Sequence, residues 1–268
     1  MIHRYRFTYE TACTFVPSVR DHFFKLRTVP MACAFQHIIS RTTDIRPESL
    51  SNEASDAFGN TIQYGSCRLL HDTFTVQSSG TVECARYEEP DDAPADYYRF
   101  PSHMTEWRYN GEGLPHPIAA ADMAAADEIE QGAAMRHLAI GIMAWTHSHL
   151  HYERFATDNT TTADEALRLG KGVCQDFAHV MIAACRHLGL HARYACGLVL
   201  GEGETHAWVE VHDGKCWHGY DPTHNRCIDY GYLKFAHGRD VGDCPMNRGR
   251  FYGWTSEQMS VNCKLTEL

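Results

Sequence analysis

The segment Gly170-Lys171-Gly172-Val173-Cys174 sets a thiol just past a glycine turn, where an apolar-periodic run to about Leu188 reads as a helix. A helix N-terminus presents unpaired N–H groups and a partial positive charge. Both favour a thiolate over a thiol, and the same N–H groups can hold an oxyanion that develops beside the sulfur. Gly172 is expected to keep the approach to the sulfur open for a substrate backbone.

A thiol nucleophile needs a base. Residues 205–221, THAWVEVHDGKCWHGYD, read as two strands around Asp213-Gly214, a pair favoured in two-residue type I′ hairpin loops. That loop pairs His212 with Lys215 and, counting back, sets His206 opposite Asp221. Cβ atoms of directly opposed residues lie about 4.5–5.5 Å apart, within reach of an imidazole–carboxylate hydrogen bond. Cys174, His206 and Asp221 are then nucleophile, general base and acid, and orienting carboxylate. Trp208 shares the His206 face and is expected along the substrate cleft. Ala207, Val209 and Val211 take the other face and suit a core. Cys185 lies three turns along the helix from Cys174, roughly 16 Å away, too far for a disulfide. Cys196, Cys216 and Cys227 read as packing residues.

The elements that must position this set come in two blocks. Up to about residue 87, short runs with strand alternation follow one another, among them 3–9, 56–65 and 74–87, the last with a Ser-Ser-Gly break. RDHFFKLRTVP and AFQHIISRTTDIRP read as two further strands, each closed by Pro. Their spacing predicts an antiparallel sandwich or barrel. Acidic, Pro- and Gly-containing residues from about 88 to 120 read as a linker or crossing loop. Beyond it, Met135, Leu138, Ile142, Trp145 and His149 mark one face of a helix. Thr162 and Glu165 form a capping box, and Gly170 supplies a stop. Three strands follow. The fold class is α+β: an N-terminal β domain over 1–105, then a core of helices on an antiparallel sheet over 106–268.

The chain has 268 residues, 44% of them hydrophobic, and a formal net charge of −10. That balance argues against nucleic acid or an anionic membrane as partner. No stretch is apolar enough to span a bilayer, and the N-terminal residues lack the apolar run of a signal peptide, so the expected location is cytoplasmic. The eleven cysteines contain no CxxC pair, and the eighteen histidines no HExxH. No metal and no cofactor is expected.

GVCQDFAHVMIAACRHLGLHARYACG, THAWVEV and YDPTHN together resemble the three motifs of the bacterial transglutaminase-like proteins, within the papain-like superfamily. Residues before about 105, with DAFGN at 56–60, resemble the small β domain that precedes that core. The resemblance implies a Cys-His-Asp triad at Cys174, His206 and Asp221 and acyl transfer from an amide through a thioester. It implies that Gln175 and Asp176 hold the turn, and that Tyr152 donates to the oxyanion. His191 departs from the family, which more often has Pro there. No DxDxDG calcium pattern is present. A peptide or protein is the expected substrate. Hydrolysis by a peptidase or amidase is favoured over transfer to a primary amine. A non-catalytic binding module is the alternative from another class.

Overall fold

The computed structural model describes residues 1–90 and 92–268. The N-terminal strands are β1 (His3–Leu26), β2 (Gln36–Arg46), β3 (Leu50–Ser55), β4 (Thr61–Cys67) and β5 (His71–Cys84). After β6 (Glu88–Glu89) come the helices α1 (Ala120–Ala125) and α2 (Glu128–His149), then β7 (His151–Tyr152), α3 (Ala163–Leu169), β8 (Lys171–Gly172) and α4 (Cys174–His187). The remaining strands are β9 (Ala192–Val199), β10 (Gly201–Gly203), β11 (His206–His212), β12 (Trp217–Asp221), β13 (Arg226–Ile228), β14 (Tyr232–Gly238), β15 (Asn247–Tyr252) and β16 (Ser256–Glu267).

β1 joins what the sequence presents as two strands. Its buried positions are odd from Tyr5 to Val19 and even from His22 to Leu26. The change of phase falls where the register shifts and Asp21 takes φ +50. A bulge of this kind sends the following side chains to the opposite face. The first half of β1 thus pairs with β5 and β16, and the second half with β4 and β15. β5 likewise runs unbroken through Ser78-Ser79-Gly80, where the sequence suggested a break. Gly80 is required there, because a Cβ would lie 2.1 Å from the Ser40 carbonyl oxygen.

The first sheet follows the order β10-β16-β1-β4-β3, with β5, β2 and β15 also paired into it. β10, β15 and β16, which lie beyond residue 105, thus join the sheet that the N-terminal strands build. The second sheet has the order β13-β12-β11-β9-β14, with β6 on β12. Three layers result: helices, second sheet and first sheet. Leu138, Ile142, Met181, Ile182 and Cys185 from the helices pack on Ala207, Val209 and Val211. On the sheet's other side, Leu233 and Phe235 meet Tyr5, Phe7, Tyr9 and Leu265 of the first sheet. The DAFGN turn ties these two layers: Asn60 exchanges hydrogen bonds of 2.8 Å with the His237 backbone, while Asp56 pairs with buried Arg27 at 2.7 Å.

Candidate active site

Cys174 is the first residue of α4. The turn before it is fixed by Asp176, whose Oδ2 accepts from the Val173 N–H at 2.7 Å and the Thr157 hydroxyl at 2.6 Å. Burial pushes the Asp176 carboxyl pKa up, against the pull of those bonds. Gly172 is itself buried, and a Cβ on it would stand 2.5 Å from Asp176 Oδ2. Its role is therefore to let that carboxylate close over the turn, not to border the substrate as its place in the sequence suggested. The capping box of α3 forms between Thr162 and Glu165, and Gly170 ends the helix at φ +67. Tyr152 pairs with Gly172 in a short parallel ladder and stands half-exposed beside Cys174. Gln175 lines the cavity on the other side of the thiol.

The hairpin carries His206 and Asp221 together, but in a different register from the expected one. Val209 pairs with Tyr220 and His212 with Trp217, leaving a four-residue loop, 213–216. Asp213 explains the longer loop. Its Oδ1 accepts from the Lys215 and Cys216 N–H groups at 3.0 and 2.9 Å, and its Oδ2 from His218 at 2.9 Å. The register is displaced by two residues, which preserves the face of every side chain. His206 then lies diagonal to Asp221, and its Nε2 still reaches Asp221 Oδ2 at 2.7 Å. That leaves Nδ1 of the ring unspent on Asp221, and the Cys174 thiol stands near enough to act on the ring's charge.

Burial alone would lower the His206 pKa. The hydrogen bond to Asp221 and then the contact with Cys174 outweigh it and push the value up to about 10. Asp221 is buried, which disfavours its charge, yet hydrogen bonds hold it well below the usual carboxylate range. Its Oδ2 accepts from His206, from His224 Nδ1 at 2.7 Å and from the Tyr232 hydroxyl at 2.6 Å. Its Oδ1 accepts from the Thr223 and His224 N–H groups. Sequence reasoning missed His224 and Tyr232. His224 lies within the YDPTHN motif, so spacing alone could have flagged it; Tyr232 arrives from β14 and leaves no local signal.

Trp208 does not line a cleft. It is fully buried, its Nε1 donating to the Tyr87 hydroxyl at 2.7 Å. That hydroxyl donates in turn to Glu210 at 2.7 Å. Glu210 also binds Arg193 at 2.6 Å and Lys234 at 2.9 Å, all three without solvent exposure. Cys185 is buried too, and burial lifts its thiol pKa to about 12. Cys227, expected to pack, is exposed instead.

Cys174 and His206 border two adjoining cavities of about 480 and 580 Å³, which also share Val173, Glu204 and Thr205. Among the described residues, His206, Asp221 and His224 form a trio whose candidate ligand atoms all lie within 4.8 Å of one another. In this structure both imidazoles and the Tyr232 hydroxyl spend their hydrogen bonds on a single Asp221 oxygen, an arrangement satisfied by protons. No helix of the described residues is long and apolar enough to cross a membrane.

Helices on an antiparallel sheet, with a thiol at a helix tip against a His–Asp pair, define a transglutaminase-like fold. The chain belongs to that superfamily: residues 123–222 match the transglutaminase-like superfamily model, and residues 5–83 match the bacterial transglutaminase-like N-terminal region. It is 26% identical to the uncharacterized protein ML0607 of Mycobacterium leprae, across 100% of this chain and 98% of that one. The uncharacterized protein Rv2569c of Mycobacterium tuberculosis is also 26% identical, over 97% of this chain and 90% of its own. A candidate cysteine protease from Cytophaga hutchinsonii has the same fold, with a TM-score of 0.75 at 21% identity over 99% of this chain and 91% of that one.

Proposed function

We propose that the protein is a cytoplasmic thiol enzyme that cleaves amide or peptide bonds through Cys174, His206 and Asp221. The observation that carries this reading is the ring of His206, bonded to a buried carboxylate and bordering, together with the Cys174 thiol, the same two cavities. The Cys174 thiolate adds to the substrate carbonyl carbon. The resulting oxyanion faces the N–H groups of the first turn of α4 and the Tyr152 hydroxyl. Collapse expels the amine, which takes the His206 proton, and leaves a thioester on Cys174. His206, now neutral, removes a proton from water as its oxygen attacks the thioester. Collapse then releases the acid and restores the thiolate–imidazolium pair. Asp221 holds the ring orientation and its charge throughout.

The openness of both cavities supports water as the acceptor; a primary amine at the same point would give a transglutaminase. Neither nucleic acid nor membrane enters the reaction. The absence of any disulfide among the described cysteines suits a reducing compartment.

The test has two parts. Iodoacetamide at neutral pH is expected to label Cys174 faster than any other cysteine. A glutamine-containing peptide library, read by mass spectrometry with and without an added amine, is expected to yield hydrolysis products. Slow, uniform labelling with no product would leave a binding module. Amine adducts outnumbering hydrolysis would make the acceptor an amine.

A further inference from the structure

We infer that the first sheet is a specificity wall, and that the substrate carries a large aliphatic or aromatic side chain beside the carbonyl that Cys174 attacks. The inference rests on the catalytic reading above and adds the substrate class. The two cavities flanking Cys174 differ in chemistry. The smaller mixes the apolar side chains of Tyr152, Phe155 and Leu200 with Arg154, Glu202 and the glycine backbone of β10. The larger, about 580 Å³, is lined on one side by Tyr194 and Cys196 of β9 and by Met246. On the other side it is lined by Tyr9 of β1 and by Met259 and Val261 of β16. Its charged members, Glu204 and Arg248, are solvent-exposed.

The wall belongs to the first sheet because β16 pairs with β1 along residues 256–267. Met259 and Val261 are two apart on one strand and so present the same face. Met259 is 59% exposed, an apolar side chain held in water at the edge of a site that contains the nucleophile. Thioether side chains adapt to the shape of an apolar guest. We assign that guest to the acyl portion of the substrate, which stays bound through both formation and breakdown of the thioester. Apolar contact made there lowers the acylation transition state relative to free enzyme and substrate, and so speeds modification of Cys174.

Peptidyl acyloxymethyl ketones that differ only in the side chain next to the reactive carbonyl test this directly, with the rate of Cys174 modification read by intact mass. Phe and Leu probes are expected to react at least about tenfold faster than Gly and Asp probes. Met259→Glu, at an exposed position, is expected to cut that preference to about twofold, and Met259→Leu to keep it. The iodoacetamide rate at Cys174 is measured in each variant, and every probe rate is divided by it, so that a general change in thiol reactivity cancels from the preference. Equal rates for all probes on the unaltered chain, or a preference that survives Met259→Glu, would overturn the inference while leaving the catalytic reading intact. Loss of fast iodoacetamide labelling would sink the catalytic reading itself.

Discussion

On one face of β11, His206 and Glu210 stand either side of Trp208, and each holds an ionic cluster. At the His206 end the groups border open cavities, and the ring keeps one nitrogen for a thiol. At the Glu210 end the carboxylate is spent on Arg193, Lys234 and Tyr87, in a place water does not reach. The Glu210 carboxyl is held far below its ordinary range by those cations, despite a burial that works against it. Charge and perturbed pKa are therefore common to both ends. Access and unspent hydrogen-bonding capacity separate a reactive cluster from a structural one.

Substitutions at the two ends should part cleanly. Cys174→Ala is expected to lower turnover by roughly ten-thousandfold or more, with the thermal midpoint little changed. Steady-state assay beside calorimetry checks this, and residual turnover within tenfold of the unaltered protein would misplace the nucleophile.

Asp221→Asn should cost roughly a thousandfold in turnover. It should also move the alkaline limb of the pH profile. His206 must hold the proton it gives to the leaving amine, so activity should fall as pH rises through about 10. In the variant the limb should shift toward the ordinary histidine value of 6.5. The same pair contributes stability below pH 6.5 that is lost as pH rises through the folded value, because the folded pKa is the higher one. Unfolding at pH 7 and pH 10 should show this loss in the unaltered chain and less of it in the variant.

Glu210→Gln should reverse the pattern. Removing one charge leaves buried Arg193 with Asp92 and buried Lys234 with Glu89 as their remaining carboxylate partners, at a cost of about 3 kcal/mol. Turnover per folded molecule should stay within a few-fold. A large catalytic loss without destabilisation would make the buried cluster part of the chemistry. His224→Ala sits between the two, removing one hydrogen bond from Asp221 for about 1 kcal/mol, or a few-fold in turnover. The smallest effect expected is none: EDTA should leave activity unchanged, and inactivation by chelation would recast His206, Asp221 and His224 as metal ligands.

The site was more legible in the sequence than the fold around it. Helix caps, the position of Cys174 and the shared face of His206 and Asp221 are local patterns, and local patterns survive errors of detail. The hairpin register differs from the expected one by two residues, yet side-chain parity repeats every two, so His206 reaches Asp221 from a diagonal position instead of an opposed one. Gly172 and Trp208 were misplaced for a different reason. Trp208 is covered by Tyr87, far off in the chain, and spacing carries no record of that; Gly172 is closed over by Asp176, a local neighbour whose orientation depends on distant Thr157. The bulge in β1 and the return of β15 and β16 to the first sheet were hidden in the same way.

Tyr5 pairs with Glu267, and Val16 with Ser256, so the opening strand waits for one made some 240 residues later. During synthesis β1 can meet β5 early, but its other edge stays bare until the ribosome has released residue 267. Met259 and Val261 arrive with that last strand. A nascent chain thus already holds its thiol and imidazole while the surface that selects the guest has yet to be laid down. Loss of the closing strand by proteolysis would be expected to yield an unselective nucleophile before it yields an inert one.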